Sequence, residues 1–210
     1  MSTNSDSLCR RGLHKFLSGF TLEGEVLDIG GTKNGKYHQE LKGSHNITVA
    51  NIDEKYGYDV KIDLEKKFTL EDNSFDHILC LNVLEHIYNY QNVLSESHRV
   101  LKSGGTMIHF TPFLYKEHGC PHDYFRYSKS ALKRMYQDAG FEVVKVEPVV
   151  YGVFKCVYQY TNFFLLFKVL KVPYRWIMEI LEGFLSGLLK PYERIAKDFV
   201  LSYGVVAKKR

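Results

Sequence analysis

The sequence of 210 residues predicts an α/β protein built on a mainly parallel sheet with helices on both faces. Three observations carry that expectation. Val26-Leu27-Asp28-Ile29 is an apolar run that ends beside an acid and breaks into the small-residue loop Gly30-Gly31-Thr32-Lys33-Asn34-Gly35. Phe75 to Leu81 is nearly continuously apolar, the pattern of a strand buried on both faces. Between such runs lie segments of helical spacing, so strands and helices alternate along the chain.

The elements follow in order. Leu8, Leu13, Phe16, Leu17 and Phe20 mark an amphipathic helix expected to pack over a sheet edge. Val26 to Ile29 is the first strand, and Tyr37 to Leu41 a short helix after the glycine loop. Ile47 to Ile52 is the second strand and Phe75 to Leu81 a further one. Tyr90, Val93, Leu94 and Ser97 mark a helix face ending near Leu101, and Lys102-Ser103-Gly104-Gly105 is a turn before the strand Thr106 to Phe110. Ser128 is placed to cap a helix carrying Leu132, Met135, Tyr136 and Ala139, with Gly140 placed to end it in a left-handed conformation. Phe141 to Val146 resumes strand character, and Phe199 to Ala207 can close the sheet.

Composition narrows the function classes. A hydrophobic fraction of 45% supports a packed core. The net charge of +4 is mild and its lysines and arginines are dispersed, which gives nucleic-acid binding little support. Cys9, Cys80, Cys120 and Cys156 lie far apart with no paired spacing, so a reduced, cytoplasmic setting is expected. Arg10 and Arg11 are followed by no long apolar run, so no secretory signal is read there.

Glycine at Gly30, Gly31 and Gly35 lets a ligand approach main-chain N–H groups that a Cβ would shield. Asn51-Ile52-Asp53 is a second apolar-to-acidic strand end, where a carboxylate can accept from both hydroxyls of a ribose. The ligand class is therefore nucleotide-like. The glycine spacing does not fit a dinucleotide fingerprint, which argues against NAD.

Five elements in this order resemble the class I S-adenosylmethionine-dependent methyltransferases of small-molecule type, similar to sugar and polysaccharide-cluster members. They are Leu27 to Gly31, Asp53, Asp63 in Lys61-Ile62-Asp63-Leu64, Phe75 to Ile87, and Arg99 to Gly105. The resemblance implies a Rossmann-like seven-stranded sheet with an antiparallel last strand, and S-adenosylmethionine as cofactor with S-adenosylhomocysteine as product. It implies that Asp28 orients the glycine loop and meets the methionine amino end, while Gly30 and Gly31 pass under the cofactor. Asp53 would hold the ribose, Asp63 would lie near the adenine, and Asn82 and Val83 would line the methionine side. Thr32 and Asn34 depart from the family's alternating glycines.

Thr111 to Tyr127 leaves the sheet on the cofactor side, so the methyl acceptor is expected there. His118 and His122 are candidate general bases and Asp123 can orient an imidazole. His86, Tyr124, Arg126 and Tyr127 are candidates for shaping the acceptor pocket or holding an anionic group. His118, Cys120 and His122 are ligand-type residues without the paired spacing of an ordinary zinc site, so no metal is expected.

The organisation read from these segments is a helical segment 1–23, a cofactor-binding core 24–150, an aromatic-rich helical insertion 151–198, and a closing strand with basic tail 199–210. Pro173 is expected to break the insertion. The insertion is read as a lid over the acceptor pocket, a homodimer surface, or an amphipathic element at the inner face of a membrane, and it holds no uncharged run long enough to span one. The functional reading is methyl transfer to an oxygen of a sugar, glycan precursor or related polar metabolite. A quinone-type carbon methyltransferase and a non-catalytic cofactor-binding or interaction module remain as alternatives.

Overall fold

The computed structural model describes residues 7–119, 121–165 and 167–210. Cys120, one of the ligand-type residues weighed above, lies outside them.

Seven strands form one sheet in the order β3-β2-β1-β4-β5-β7-β6. They are β1 (Gly24–Ile29), β2 (His45–Asn51), β3 (Val60–Lys61), β4 (Phe75–Leu81), β5 (Leu101–Pro112), β6 (Phe141–Tyr151) and β7 (Val200–Lys209). Strands β1 to β5 pair in parallel, and β7 runs antiparallel between β5 and β6. This is the Rossmann-like class I methyltransferase architecture that the resemblance implies.

The pleat explains the layers. Leu27 and Ile29 of β1 and Ile78 and Cys80 of β4 join α2 (Tyr90–Val100) and α3 (Lys129–Asp138) through Val93, Leu94, Leu132 and Tyr136. Val26, Leu79, Ile108 and Phe110 point to the other face, where they meet Leu13 and Leu17 of α1 (Leu8–Leu17). The first helix therefore lies across the sheet, its start packed on the edge strand β6 through Leu8, Cys9 and Val150, as expected, and its end on the middle strands. Its apolar residues four apart match the apolar side of the central strands, and burying each such leucine is worth about 2 kcal/mol. Ser128 caps α3 by accepting from the Ala131 N–H, and Gly140 follows with φ +88°.

The short helix expected after the glycine loop is present as a 3-10 helix (Lys36–Glu40), whereas Lys102 to Gly105, expected as a turn before the strand, is a bulge inside β5 where the pairing with β4 shifts register. Between β6 and β7 lie α4 (Val153–Thr161), α5 (Lys168–Leu188) and α6 (Lys190–Ala196). Pro173 sits inside α5 and does not break it. Near the start of a helix it forfeits only the bond to the Val169 carbonyl.

Candidate functional site

The connection after β1 leads to β2 on one side, whereas β4 lies on the other, so a crevice opens at the carboxyl ends of β1 and β4. Gly30, with φ +70°, closes against Val83 across it; a Cβ there would stand 2.6 Å from a Val83 methyl. Asn82 also takes a left-handed φ of +55°, a conformation asparagine tolerates, and donates its N–H to the Phe110 carbonyl at 2.8 Å. The structure thus brings Gly30, Gly31, Asn82 and Val83 together.

Asp28 is buried beneath this loop. Its Oδ2 accepts from the Tyr37 hydroxyl at 2.6 Å and faces His38 Nε2 at 2.8 Å, while Oδ1 is buried with no partner. A Cβ on Gly31 would lie 2.0 Å from Asp28 Oδ2. Asn51 fastens the loop by donating to the Gly31 carbonyl at 2.7 Å, and Thr32 donates its hydroxyl to the Tyr56 carbonyl at 2.7 Å. Tyr37, His38 and Asn51 were not singled out from sequence. Asn51 directly precedes the Ile52-Asp53 pair, which was the one available signal.

Asp53 and Asp63 stand at the ends of β2 and β3. Each caps its own turn: Asp53 Oδ1 accepts from the Lys55 N–H at 3.1 Å and pairs with the Lys55 ammonium, and Asp63 Oδ1 accepts from the Glu65 N–H at 3.0 Å and pairs with Lys66. These partners hold both carboxyls below the usual carboxylate range, so both are ionised acceptors.

The acceptor side is a loop pinned to Glu85, which is fully buried on the turn Leu84–His86. The Glu85 carbonyl accepts from the Tyr124 and Phe125 N–H groups at 2.8 and 3.3 Å. Its side chain meets the Thr111 hydroxyl at 3.4 Å through Oε2, and Oε1 is unpartnered. Burial pushes this carboxyl up to about 8, so it is protonated at neutral pH.

His118 is held by Asp123: Nδ1 lies 3.2 Å from Asp123 Oδ2 and 3.3 Å from the Lys116 carbonyl. Both neighbours only accept, so Nδ1 carries the proton and Nε2 presents a lone pair. Desolvation lowers the pKa of His118, which keeps it neutral. His86 is arranged alike, with Nδ1 2.6 Å from the His122 carbonyl and its ring edge-on to His118 at 5.0 Å.

Arg126 is committed to Asp123 by two bonds of 2.5 and 2.6 Å and also donates to the Phe125 carbonyl at 2.8 Å, so it braces the loop instead of standing free for an anion. Tyr127 is buried and donates to the Leu84 carbonyl at 3.2 Å, which makes it a loop anchor instead of a pocket wall. The His122 ring is exposed against Tyr124, away from the His118–Asp123 pair. Tyr88, missed from sequence, lies edge-on to Tyr124 at 5.4 Å, and both are exposed.

Glu85, His86 and His118 bring ligand-type atoms within 4.8 Å of one another. The 3.9 Å between Glu85 Oε1 and His86 Nε2 is wider than the roughly 3.3 Å between neighbouring ligands of one zinc ion. It is also beyond hydrogen-bond distance, in keeping with the unpartnered Oε1. A cavity of about 440 Å³ lined by Arg11, Lys155, Glu179 and Glu182 shares no residue with the crevice.

Residues 27–109 match a family model described as a methyltransferase domain. The match spans 83 of the chain's 210 residues. An uncharacterized protein of Methanocaldococcus jannaschii is 39% identical over 64 residues, covering 24% of this chain and 28% of that protein; the match thus spans under a third of the relative's length. Among solved structures, a SAM-dependent methyltransferase from Archaeoglobus fulgidus superposes with a TM-score of 0.59 at 16% identity, covering 94% of this chain and 91% of that one. The [4+2]-cyclase SpnF superposes with a TM-score of 0.57 at 18% identity, covering 94% and 79%. These likenesses bear out the fold. A cyclase and a methyltransferase share this fold, which leaves the acceptor to the site's own chemistry.

Proposed function

We propose that this chain transfers the methyl group of S-adenosylmethionine to an oxygen of a small-molecule acceptor, a sugar, glycan precursor or related polar metabolite, in the cytoplasm. The observation that carries the oxygen reading is His118, an imidazole oriented by Asp123 with Nε2 unprotonated.

The crevice fits the methyl donor. Asp28 Oδ1, buried without a partner, matches an ammonium such as the methionine amino group, and Gly30 and Gly31 leave room that a Cβ would fill. Asn82 and Val83 would line the same end, while Asp53 would hold the ribose hydroxyls and Asp63 would lie near the adenine. The bound cofactor supplies an electrophilic methyl on sulfur. His118 Nε2 takes the proton of the acceptor hydroxyl as its oxygen attacks, and Asp123 stabilises the imidazolium that forms. Arg126 keeps Asp123 ionised and in place. Tyr88 and Tyr124 offer flat surfaces for a ring-shaped acceptor, as aromatic walls do in small-molecule sites.

An apolar insertion is what would support quinone-type carbon methylation. That insertion instead turns its apolar side to solvent. Thr32, which with Asn34 motivates the reading of a non-catalytic module that binds the cofactor or nothing, is tied into the loop through the Tyr56 carbonyl.

Titration calorimetry tests the donor site. S-adenosylhomocysteine should bind the wild type, and Asp53→Ala should weaken it about tenfold, the loss of hydrogen bonds to a charged group. No heat from either cofactor form would overturn the reading.

A further inference from the structure

Helix α5 is built the wrong way round for a helix in water. Three of its charges face the protein: Arg175 and Glu182 are buried, and Glu179 pairs with Arg11 of α1. The Glu182 carboxylate accepts from the Phe154 N–H at 2.8 Å, at the start of α4, and from the Tyr192 hydroxyl of α6 at 3.0 Å. Tyr174 and Met178 pack on Val150 and Leu201. Outward lie Val169, Val172, Trp176, Ile180, Phe184 and Leu188, between 43% and 75% exposed and spaced three or four residues apart. Among the described side chains of α5, no exposed one is charged. With 21 residues the helix is about 30 Å long, so this is a continuous apolar strip beyond what a protein surface ordinarily shows to water.

We infer that this strip lies in the headgroup region of an anionic bilayer, with α5 parallel to the membrane plane. No described helix is long and apolar enough to cross a membrane, and the inward charges of α5 exclude its insertion end-on. Charge selects the occupant. Lys171 within α5 and Lys190 and Arg194 just beyond it are basic, whereas the acids of α5 are spent inward and Glu193 is held by Lys197. Two copies laid face to face would bring these cations together; acidic phospholipids complement them.

The docking surface adjoins the acceptor loop. Tyr115 packs with the cluster that includes Tyr158, Tyr174 and Met178, and its ring meets that of His118 at 5.0 Å. A membrane under α5 therefore sets the acceptor loop beside the lipid surface and directs the enzyme to a lipid-linked hydroxyl acceptor. That last step rests on the methyl-transfer reading; the docking does not.

The chain has a single tryptophan, Trp176, at the middle of the strip and 59% exposed, so its fluorescence reports the contact directly. With vesicles of mixed phosphatidylcholine and phosphatidylglycerol, the emission should shift to the blue and the protein should co-sediment. Partitioning onto phosphatidylcholine alone should be about tenfold weaker. The double variant Ile180→Asp, Phe184→Asp should lose co-sedimentation about a hundredfold while binding S-adenosylhomocysteine as the wild type does, which separates docking from the donor site. Absence of both shift and co-sedimentation in the wild type overturns the inference. So does a blue shift that grows with protein concentration without vesicles and accompanies a dimeric mass in light scattering.

Discussion

The two sides of the crevice are held in different ways. On the donor side, Gly30, Gly31, Asn82 and Val83 are main-chain positions at the ends of two adjacent parallel strands, and their places follow from the sheet register. On the acceptor side, His118, Asp123 and Arg126 belong to a loop whose place depends on side-chain pairs and on two N–H bonds to the Glu85 carbonyl. Main-chain placement leaves little freedom to vary and suits a cofactor of fixed shape. Side-chain placement can be rebuilt without disturbing the sheet, which is how one fold serves many acceptors.

The sharpest way to break this division is to remove the proposed base alone. His118→Ala should lower kcat by about a hundredfold to ten-thousandfold, the usual contribution of a general base. The dissociation constant of S-adenosylhomocysteine should stay within about twofold, because no donor-side residue touches the imidazole. Single-turnover kinetics and calorimetry on the same preparation check both halves. Full turnover by the variant removes His118 from the chemistry, and a matching loss of cofactor affinity removes the division itself.

The same contrast governs how much was legible in the sequence. Strands β1, β2, β4 and β5 were readable because burial on both faces forces continuous apolar runs, and a strand's end fixes where the next residue stands. The cofactor candidates followed from that. The partners of Arg126 and Tyr127 are not legible, because sequence shows that a guanidinium or phenol exists in the loop but not which acid or carbonyl engages it. Tyr37 and His38 escaped notice because their partner, Asp28, lies on another element. The inverted packing of α5 was hidden for a related reason: its helical period was plain, but a period does not say which side faces the protein.

Glu85 links the two sides, and its ionisation tests how firmly the acceptor loop is anchored. Its folded pKa is about 8 against an ordinary 4.5, so the folded state binds the extra proton between those values. The stability it allows is fully present below about pH 4.5 and is lost as pH rises through 8, by up to a few kcal/mol. Glu85→Gln keeps a neutral side chain of similar shape. The difference in Tm between variant and wild type should therefore move in favour of the variant from pH 5 to pH 8, with the histidines cancelling in the subtraction. A difference that does not change with pH would show that Glu85 is not buried as a neutral acid.

The remaining test lies on the donor side. Gly31→Ala places a methyl where Asp28 Oδ2 now sits, 2.0 Å from the ideal Cβ position, and that oxygen is fixed by Tyr37 and His38. The carboxylate cannot retreat without breaking those contacts, so the loop must shift. A displacement on the order of an ångström in a site that grips by main-chain fit costs about a hundredfold in positioning, and the affinity for S-adenosylhomocysteine should fall by about that factor. The His118–Asp123–Arg126 group stands on another loop and should be unmoved. Its integrity is read in the pH profile of kcat at saturating cofactor, which should keep the wild-type midpoint in Gly31→Ala. A shifted midpoint would mean that the two sides are coupled through Val83 and Glu85, and that the acceptor loop takes part of its order from the bound cofactor.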